Sequence, residues 1–248
     1  MQISHHSIPE QPHRAGLPFP PAATDPAPRL PALDPLEQLA VTVTLRKDAE
    51  IYGQGDDARY CYRILSGCIR SVKLMEDGRR QVNEFLLPGD WFGFEALAEH
   101  AFAAEAVSEV VLRRYPRRAI DALAEQDPRI ARWLFDLAAG QLRAARERMV
   151  TLGRKTAAER IAGFLLEMGR RMPQDDHTGA VRMPMSRTDV ADHLGLTIET
   201  VCRCLAQFRR EGSIRLARSS FAVQSRAALH AHAHAHAHAS ASASATVH

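Results

Sequence analysis

Residues 185–212 read MSRTDVADHLGLTIETVCRCLAQFRREG, and their spacing predicts two short helices joined by a tight turn. Ser186 is an N-cap residue, and Asp189 three positions later completes a capping box at the start of the first helix. Gly195 can adopt the left-handed conformation with which many helices end. Thr197 follows almost at once as a second N-cap. Two capped helices with so short a connection are typical of a helix-turn-helix.

The second of these helices separates an apolar face from a polar one. Its apolar side chains recur at steps of three and four residues, which predicts one buried stripe: Ile198, Val201, Leu205 and Phe208. Glu199 and Arg203 fall one turn apart on the opposite face, near the end where a recognition helix meets base edges. A carboxylate can accept a hydrogen bond from cytosine N4, and a guanidinium can bind guanine O6 and N7. A solvated salt bridge worth about 0.2–0.5 kcal/mol is the alternative, but the capped helix pair favours base reading.

Residues 185–203 resemble the DNA-binding signature of the CRP/FNR family of transcription regulators. The resemblance extends over about residues 49–223. The spacing Glu199-x-x-Cys202-Arg203 is most similar to the FNR and FixK branch, in which a serine usually precedes the arginine. Cys202 is therefore a departure from the pattern of that branch.

This resemblance implies a homodimer that binds palindromic double-stranded DNA similar to TTGAT-N4-ATCAA and contacts RNA polymerase. It implies base reading by Glu199, Cys202 and Arg203. Members of the branch commonly control genes of microaerobic respiration, nitrogen fixation or denitrification, mainly as activators. Contacts to the DNA backbone are expected from Ser186, Arg187, Thr197, Thr200, Arg210, Arg215 and Arg218.

Cys202 is also a candidate redox site. It lies in the N-terminal half of the recognition helix beside Arg203, where the helix dipole and the cation favour the thiolate. Oxidation there would add bulk and negative charge facing DNA phosphates. The alternative is that Cys202 simply replaces the serine of the family as a small polar residue.

Basic charge is concentrated around the predicted helix-turn-helix. Residues 152–226 contain 13 Lys and Arg against 8 Asp and Glu, a net charge of +5, whereas the whole chain has +3. Positive charge on this segment is what phosphate binding requires. An apolar content of 46% and a charged content of 25% are ordinary for a globular protein and give no reason to expect another class.

The four cysteines indicate a reducing compartment. Cys61, Cys68, Cys202 and Cys204 form no CxxC pair and no zinc-ligand spacing, so free thiols fit better than disulfides. The sequence has no apolar run near the about 18 to 20 residues of a membrane span, and its N-terminus lacks a signal-peptide pattern. We therefore expect a cytoplasmic protein with no membrane partner.

Both ends of the chain have biased compositions. Residues 1–36 hold nine of the 14 prolines and show little periodicity, so we expect a disordered extension. Residues 229–248 alternate His with Ala and then Ser with Ala, and we expect a second disordered tail. Alternating histidines can bind metal, but without a fixed backbone such binding would be adventitious.

Residues 37–127 have the pattern of a β-roll. Glycines recur about every 11 or 12 residues between short apolar–polar runs, and Asp77-Gly78 is a hairpin signal between residues 69–75 and 81–87. Short strands at this spacing predict an antiparallel β-roll or barrel. The family resemblance identifies it as a cyclic-nucleotide-binding-like jelly roll.

The pocket of this roll lacks the residues that family members use for cyclic nucleotides. Phe94 stands where they carry a glutamate for the ribose, and residues 101–105 contain no arginine for the phosphate. Glu105 would repel a phosphate, which needs a cation when it is buried. Residues 1–60 contain no cysteine for an iron–sulfur cluster. A ligand-gated sensor with haem in the roll, held by His100 or Cys61, is the alternative.

A long helix is predicted over residues 128–153. One side, with Ile130, Trp133, Leu134 and Leu137, suits packing on the β-roll. The other side has the four- and three-residue steps of a coiled-coil seam, which implies a partner helix. The predicted dimerisation residues are Phe135, Ala138, Leu142, Ala145, Met149 and Leu152.

These patterns together predict an α+β chain: an antiparallel β-roll, a long dimerisation helix, and a winged helix-turn-helix over residues 154–228. The winged domain would begin with a helix from Thr156 to about Arg171 and end with a β-hairpin over residues 213–224. The sequence contains no nucleophile–base motif, phosphate-cradling glycine loop or metal-ligand set. We expect no enzymatic activity, no cofactor and no metal site.

Overall fold

The computed structural model describes residues 34–95 and 98–234 of the chain. Residues 1–33 of the predicted extension and residues 235–248 of the predicted tail lie outside this part. Within it the protein has antiparallel sheets, then one long helix, then a helix-turn-helix domain, which is the predicted α+β architecture. In the same residues there is no helix that is both long and apolar enough to cross a membrane.

The N-terminal β-roll is built from two four-stranded sheets. Its elements in the described residues are α1 (Asp34–Leu39), β1 (Val41–Leu45), β2 (Glu50–Tyr52), β3 (Tyr60–Ser66), β4 (Ile69–Leu74), β5 (Arg80–Leu86), β6 (Trp91–Phe92), β7 (Ala103–Ala106) and β8 (Val110–Pro116). The strand orders are β1-β8-β3-β6 and β2-β7-β4-β5, and neighbouring strands are antiparallel. Ile64, Ile69 and Leu112 are almost fully buried where the sheets meet.

The hairpin between β4 and β5 forms at Asp77-Gly78, as the sequence predicts. Leu74 pairs with Arg80 across the turn. Gly78 has a φ of 81°, a left-handed conformation that glycine adopts without steric penalty. The Asp77 carboxylate accepts a hydrogen bond from the Arg79 amide at 3.0 Å. This turn sets the register of β5 and therefore decides which of its side chains face outward.

Helix α1 begins inside the segment that the sequence predicts to be disordered. Leu36 is fully buried against Tyr115 and Trp133, which belong to a distant strand and a distant helix. The prediction of disorder up to residue 36 is therefore wrong for residues 34–36. A proline-rich composition gives no sign that one leucine will find an apolar site formed by residues far along the chain.

Two helices connect the roll to the C-terminal domain: α2 (Arg117–Gln126) and α3 (Pro128–Arg154). Asp127 caps α3 by accepting a hydrogen bond from the Arg129 amide at 2.8 Å. Pro128 is the first residue of the helix, where its missing backbone N–H would have no partner within the helix. Ile130, Trp133 and Leu137 are buried, so this side of α3 packs on the roll as predicted.

The other side of α3 carries the predicted dimerisation residues Phe135, Ala138, Leu142, Ala145, Met149 and Leu152. All of them are exposed except Leu152, which is half-buried. Exposure is 65% at Phe135, 53% at Leu142 and 74% at Met149. Leu152 lies against the turn of the helix-turn-helix, since a Cβ placed on Gly195 would be 3.5 Å from Leu152 Cδ2.

The C-terminal domain contains a three-stranded sheet and four helices in the described residues. They are α4 (Ala157–Arg171), β9 (Val181–Arg182), α5 (Arg187–Leu194), α6 (Ile198–Arg210), β10 (Ile214–Leu216), β11 (Ser220–Val223) and α7 (Arg226–Ala233). The strand order is β10-β11-β9, so the predicted hairpin wing gains a third strand. Thr156 caps α4 with a capping box closed by Glu159.

Helix α7 extends past the predicted domain boundary at residue 228. Leu229 is fully buried and Ala233 is 5% exposed, both in the core of the C-terminal domain. The prediction of a disordered tail is therefore wrong for residues 229–233. Ser225 caps the helix by accepting a hydrogen bond from the Ala228 amide at 3.2 Å, and the spacing of Leu229 and Ala233 places both on one buried face.

The β-roll and the C-terminal domain share one apolar core. Val82 and Phe85 of β5 belong to the same buried cluster as Phe164 of α4 and Val190 of α5. The Phe85 and Phe164 rings meet edge to face with centroids 6.1 Å apart. The two domains therefore bury apolar surface against each other and not only through the linking helix.

His193 lies at this boundary between the β-roll and the C-terminal domain. The Nδ1 atom of His193 lies 3.2 Å from the carbonyl oxygen of Val82, and its ring is 5.1 Å from that of Phe85. Burial, with a smaller contribution from the Arg148 cation, lowers the pKa of His193 from 6.5 to about 4. The neutral imidazole is thus the form that fits this boundary.

We predict that the free energy of unfolding falls as the pH decreases from about 6.5 towards 4. In that window the unfolded chain binds a proton at His193 and the folded chain does not, so acid favours unfolding. Denaturant unfolding at several pH values should show a smaller decrease for His193→Gln than for the wild type. His177→Gln, at an exposed loop position, should behave as the wild type. An unchanged pH dependence in His193→Gln would contradict the assignment.

Candidate DNA-binding surface

The first helix of the helix-turn-helix, α5, begins with the predicted capping box. The Asp189 amide donates to Ser186 Oγ at 3.0 Å, and the Ser186 amide donates to Asp189 Oδ2 at 2.9 Å. Gly195 ends the helix with a φ of 61° in the left-handed region. Arg160 of α4 holds the turn by donating to the Leu194 carbonyl at 2.9 Å. Local capping and one arginine therefore fix the angle at which the next helix leaves.

Helix α6 starts at the predicted cap, where Thr197 Oγ1 accepts from the Thr200 amide at 3.2 Å. Its buried stripe consists of Val201, Cys204, Leu205 and Phe208. Ile198 is 41% exposed, so the prediction that it belongs to the stripe is wrong. It is the first residue of the helix, and the contacts that bury α6 begin one turn later. Cys204 takes the fourth buried position.

The predicted base-reading side chains, Glu199, Cys202 and Arg203, are all exposed on α6. Arg203 Nη2 donates to Thr200 Oγ1 at 3.3 Å. The salt-bridge alternative requires an ion pair between Arg203 and Glu199. In the described residues no such pair is formed. Hydrogen bonds from its own amide and then from the Thr197 hydroxyl lower the pKa of Glu199. The carboxylate is therefore held by the helix N-terminus, and both charged groups face solvent.

The residues predicted to contact the DNA backbone differ in their exposure and in the hydrogen bonds that they already form within the protein. The Ser186 hydroxyl is used by Asp189 both as acceptor and as donor. Arg187 is half-buried, and burial lowers its pKa. The Arg215 guanidinium donates to the Thr178 carbonyl at 3.0 Å, which ties the wing to the loop before β9. Exposed side chains are found at Thr197, Arg210, Arg215 and Arg218, whereas Thr200 is half-buried.

The two cysteines of α6 have different surroundings. Cys202 is exposed beside Arg203, whereas Cys204 is 7% exposed and burial raises the pKa of its thiol. Cys61 and Cys68 are buried in the roll, and burial raises the pKa of each thiol to about 12. A neutral buried thiol packs as a small apolar side chain. Cys202 is therefore the thiol of this set that solvent can reach.

The interior of the β-roll is filled by aromatic side chains. The Tyr52 ring stacks on His100 with centroids 3.5 Å apart, and Tyr62 stacks on Phe92 at 5.0 Å. Phe94, at the position of the ribose-binding glutamate, turns towards Trp91 and α3. These stacked side chains pack in the space between the two sheets of the roll.

The two haem-ligand candidates, His100 and Cys61, have different surroundings. His100 is 2% exposed and lies 3.6 Å from Glu95, and its stacking on Tyr52 covers one face of the ring. Cys61 is fully buried in the separate cluster that contains Trp91 and Trp133. Residues 34–95 and 98–234 contain no group of three or more His, Cys, Asp or Glu side chains that could hold a metal ion.

Sequence reasoning missed the residues that hold α5 from the side of the roll. Arg80 of β5 forms ion pairs with Asp189 and Asp192, and Arg70 of β4 forms one with Asp189. Arg70 also pairs with Glu105 at 2.7 Å, so the glutamate that was expected to repel phosphate is neutralised. More than 100 positions separate these arginines from α5, and no local pattern could have paired them.

The chain matches two family models. Residues 42–127 match the cyclic nucleotide-binding domain and residues 159–232 match the Crp-like helix-turn-helix domain. It is 44% identical over 183 residues to the nitrogen fixation regulation protein FixK of Azorhizobium caulinodans. This match covers 73% of this chain and 74% of that protein. It is 34% identical over 176 residues to the transcriptional activatory protein AadR of Rhodopseudomonas palustris, with 71% and 74% covered.

The fold is similar to that of a solved FixK structure. The structure of FixK2 from Bradyrhizobium japonicum matches with a TM-score of 0.74 and 44% sequence identity, covering 77% of this chain and 96% of that chain. The relatives are transcription regulators, and the predicted family resemblance is confirmed in both domains. By sequence and by fold, the chain belongs to the CRP/FNR family of transcription regulators and is similar to its FixK members.

Proposed function

We propose that the protein is a homodimeric transcription regulator, mainly an activator, that binds a palindromic DNA site of the FNR/FixK type. The observation that carries this proposal is the exposed pair Glu199 and Arg203, presented on the first turns of a capped recognition helix. The relatives add the biological setting, since FixK is named as a nitrogen fixation regulation protein and AadR as a transcriptional activatory protein. Control of microaerobic, nitrogen-fixation or denitrification genes is the corresponding expectation.

Base reading follows from the chemistry of the α6 face. The N-terminal turn keeps Glu199 ionised, and its carboxylate can accept from a cytosine N4 amino group. Arg203 has only a weak contact at 3.3 Å to give up, so its guanidinium can turn to grip guanine O6 and N7. Exposed Arg210, Arg215 and Arg218 can reach phosphates on either side of the groove. Cys202 is exposed beside Arg203, at the edge of this face, and can contact a base edge or a phosphate.

Dimerisation is supported by the two-sided character of α3. One side is buried on the roll, while the dimerisation residues on the other side expose large apolar side chains to solvent. Burial of apolar surface contributes about 25 cal/mol per Å², so a second α3 packed along this stripe would be stabilised. A two-fold dimer presents two copies of α6, which suits a palindrome whose half-sites lie about 34 Å apart.

The remaining partners follow from this role. An activator acts through RNA polymerase, and such a regulator works in the cytoplasm beside its DNA. The roll would serve as a scaffold, because stacked aromatic rings fill the space where a ligand would bind. A haem-containing sensor remains the alternative function, and freshly purified protein without a Soret absorption band would exclude it.

We predict that Arg203→Ala weakens binding to the specific palindrome by about 1–3 kcal/mol, because one bidentate guanine contact is lost in each half-site. Binding to random duplex should change much less. Glu199→Ala should reduce discrimination between matched and mismatched duplexes more than it reduces affinity. Fluorescence anisotropy titrations on both duplexes measure these effects.

Arg209→Ala is the matched control for charge, since Arg209 is exposed in the last turn of α6, away from the N-terminal turns that carry Glu199 and Arg203. It should leave the preference for the matched duplex unchanged. Equal losses on matched and random duplex for Arg203→Ala would show that Arg203 contacts phosphates and not bases.

We predict that Leu142→Lys converts the dimer to a monomer, because it would bury an unpaired ammonium group at the interface. Palindrome binding should be lost while the circular dichroism spectrum keeps its helical signal. Gln141→Lys adds the same charge one residue outside the stripe and should remain dimeric. Sedimentation velocity measures the oligomeric state, and a monomeric wild type, both free and on DNA, would refute the dimer.

We also propose that Cys202 makes DNA binding sensitive to oxidation. Peroxide converts an exposed thiolate to a sulfenic acid and is itself reduced to water. The product adds bulk and polarity on the reading face, so affinity should fall after mild treatment. Cys202→Ser should resist this loss, whereas Cys204→Ser should behave as the wild type, because Cys204 is buried. Equal sensitivity of Cys202→Ser and the wild type would refute the role.

A further inference from the structure

Four charged side chains join the β-roll to the helix-turn-helix, and we call this group the clamp: Arg70, Arg80, Asp189 and Asp192. Arg80 Nη2 lies 2.7 Å from Asp192 Oδ2 and 2.9 Å from Asp189 Oδ1. Arg70 Nη1 lies 2.9 Å from the same Asp189 Oδ1. The clamp therefore links two neighbouring strands of the roll, β4 and β5, to the first helix of the DNA-binding motif.

The clamp is shielded from solvent. Side-chain exposure is 14% for Arg70, 27% for Arg80, 5% for Asp189 and 24% for Asp192. By contrast, the neighbouring pair of Arg79 and Asp77 is 77% and 53% exposed. Exposed ion pairs of that kind contribute little to the free energy of folding. Buried charges are costly unless each has its hydrogen-bond and ion-pair partners in place. The clamp thus constrains geometry more than it adds stability.

Asp189 carries two functions on its two oxygens. Its Oδ2 accepts from the amide and the hydroxyl of Ser186 and closes the capping box of α5. Its Oδ1 accepts from both clamp arginines. The first turn of α5 is therefore attached to the roll through the same carboxylate that caps the helix. Rotation of α5 on the roll would break at least one of these contacts.

Further contacts at this boundary oppose the same rotation. The Gln81 side-chain amide donates to the Asp192 carbonyl, and His193 Nδ1 lies 3.2 Å from the Val82 carbonyl. Arg171 of α4 forms an ion pair with Asp90 of the roll. These contacts involve both α5 and α4, so the domain is held to the roll through two of its helices.

The clamp leaves the reading face uncovered. Glu199 and Arg203 are exposed on α6 while α5 is held against β5. The same chain also carries α3, whose far side is free to meet a second copy. From this geometry we propose that the clamp fixes the orientation of the helix-turn-helix relative to the dimer axis, with Arg80 and Asp192 as positioning residues. It would thereby set the spacing between half-sites that the protein accepts.

This inference rests on the proposed function, since only a dimer on a palindrome has a half-site spacing to read. Two rigidly held copies of α6 bind a correctly spaced palindrome with a high effective concentration and bind other spacings poorly. Two loosely held copies lose affinity for the correct spacing but tolerate neighbouring ones. Rigidity removes conformational freedom before DNA binds, which lowers the cost of binding.

The experiment measures affinity for a palindromic duplex, for the same palindrome with its spacer lengthened or shortened by one or two base pairs, and for a single half-site. For Arg80→Ala we expect about a tenfold loss on the correctly spaced palindrome, as disruption of a coupled contact gives. Half-site affinity should change by less than about twofold, since the reading face is intact. The dependence on spacing should become flatter.

Two further variants separate positioning from charge and from folding. Arg79→Ala removes the same charge one residue away on an exposed pair and should keep the wild-type spacing profile. Arg80→Lys keeps a cation beside Asp189 and Asp192 and should retain more of the wild-type profile than Arg80→Ala does. Asp189 is left unchanged in every variant because it also caps α5.

The outcomes distinguish the two proposals. A wild-type spacing profile in Arg80→Ala, or equal losses on the palindrome and the half-site, would overturn the clamp while leaving the dimeric regulator intact. A spacing profile in Arg80→Lys no closer to the wild type than that of Arg80→Ala would likewise count against the clamp. A wild type that binds one half-site as tightly as the palindrome would overturn the proposed function itself, and the clamp with it.

Discussion

The carboxylate of Asp189 is the point on which the local and the long-range structure both depend. Its capping bonds to Ser186 start α5, and its ion pairs with Arg70 and Arg80 attach that helix to the roll. A buried anion with no partner is costly, so the capped helix and the docked domain favour each other. Helix α6, the proposed recognition helix, follows α5 after one short turn.

Helix α3 gives the molecule its second constraint, since its two sides meet different surroundings. The side with Ile130 and Trp133 completes the core of the roll, and the side with Leu142 and Met149 remains uncovered in one chain. Because α3 also leads directly into the C-terminal domain, a partner on the uncovered side would fix the relative position of two DNA-binding domains. Dimerisation and the interdomain contacts are therefore geometrically linked in our proposal.

The β-roll matches the cyclic nucleotide-binding domain, and its interior is packed with aromatic side chains. Rings from Tyr52, Tyr62, Phe92 and His100 stack between the sheets, and Phe94 packs outward against α3. Close packing of these rings makes the roll a stiff platform. That platform is what presents β4 and β5 to α5, so a sensor-like fold would serve here to position the DNA-binding domain.

The sequence alone was sufficient wherever local chemistry decides the structure. Caps at Ser186 and Thr197, the left-handed glycines, the Asp77-Gly78 turn and the two sides of α3 all follow from residues a few positions apart. The family resemblance then supported the choice of Glu199, Cys202 and Arg203 as the proposed reading residues of α6. Tertiary structure alone decided the burial of Leu36 and Leu229, the exposure of Ile198, and the attachment of α5 to Arg70 and Arg80. Each of these depends on partners brought together from distant parts of the chain, and the pattern around a single residue carries no information about such partners.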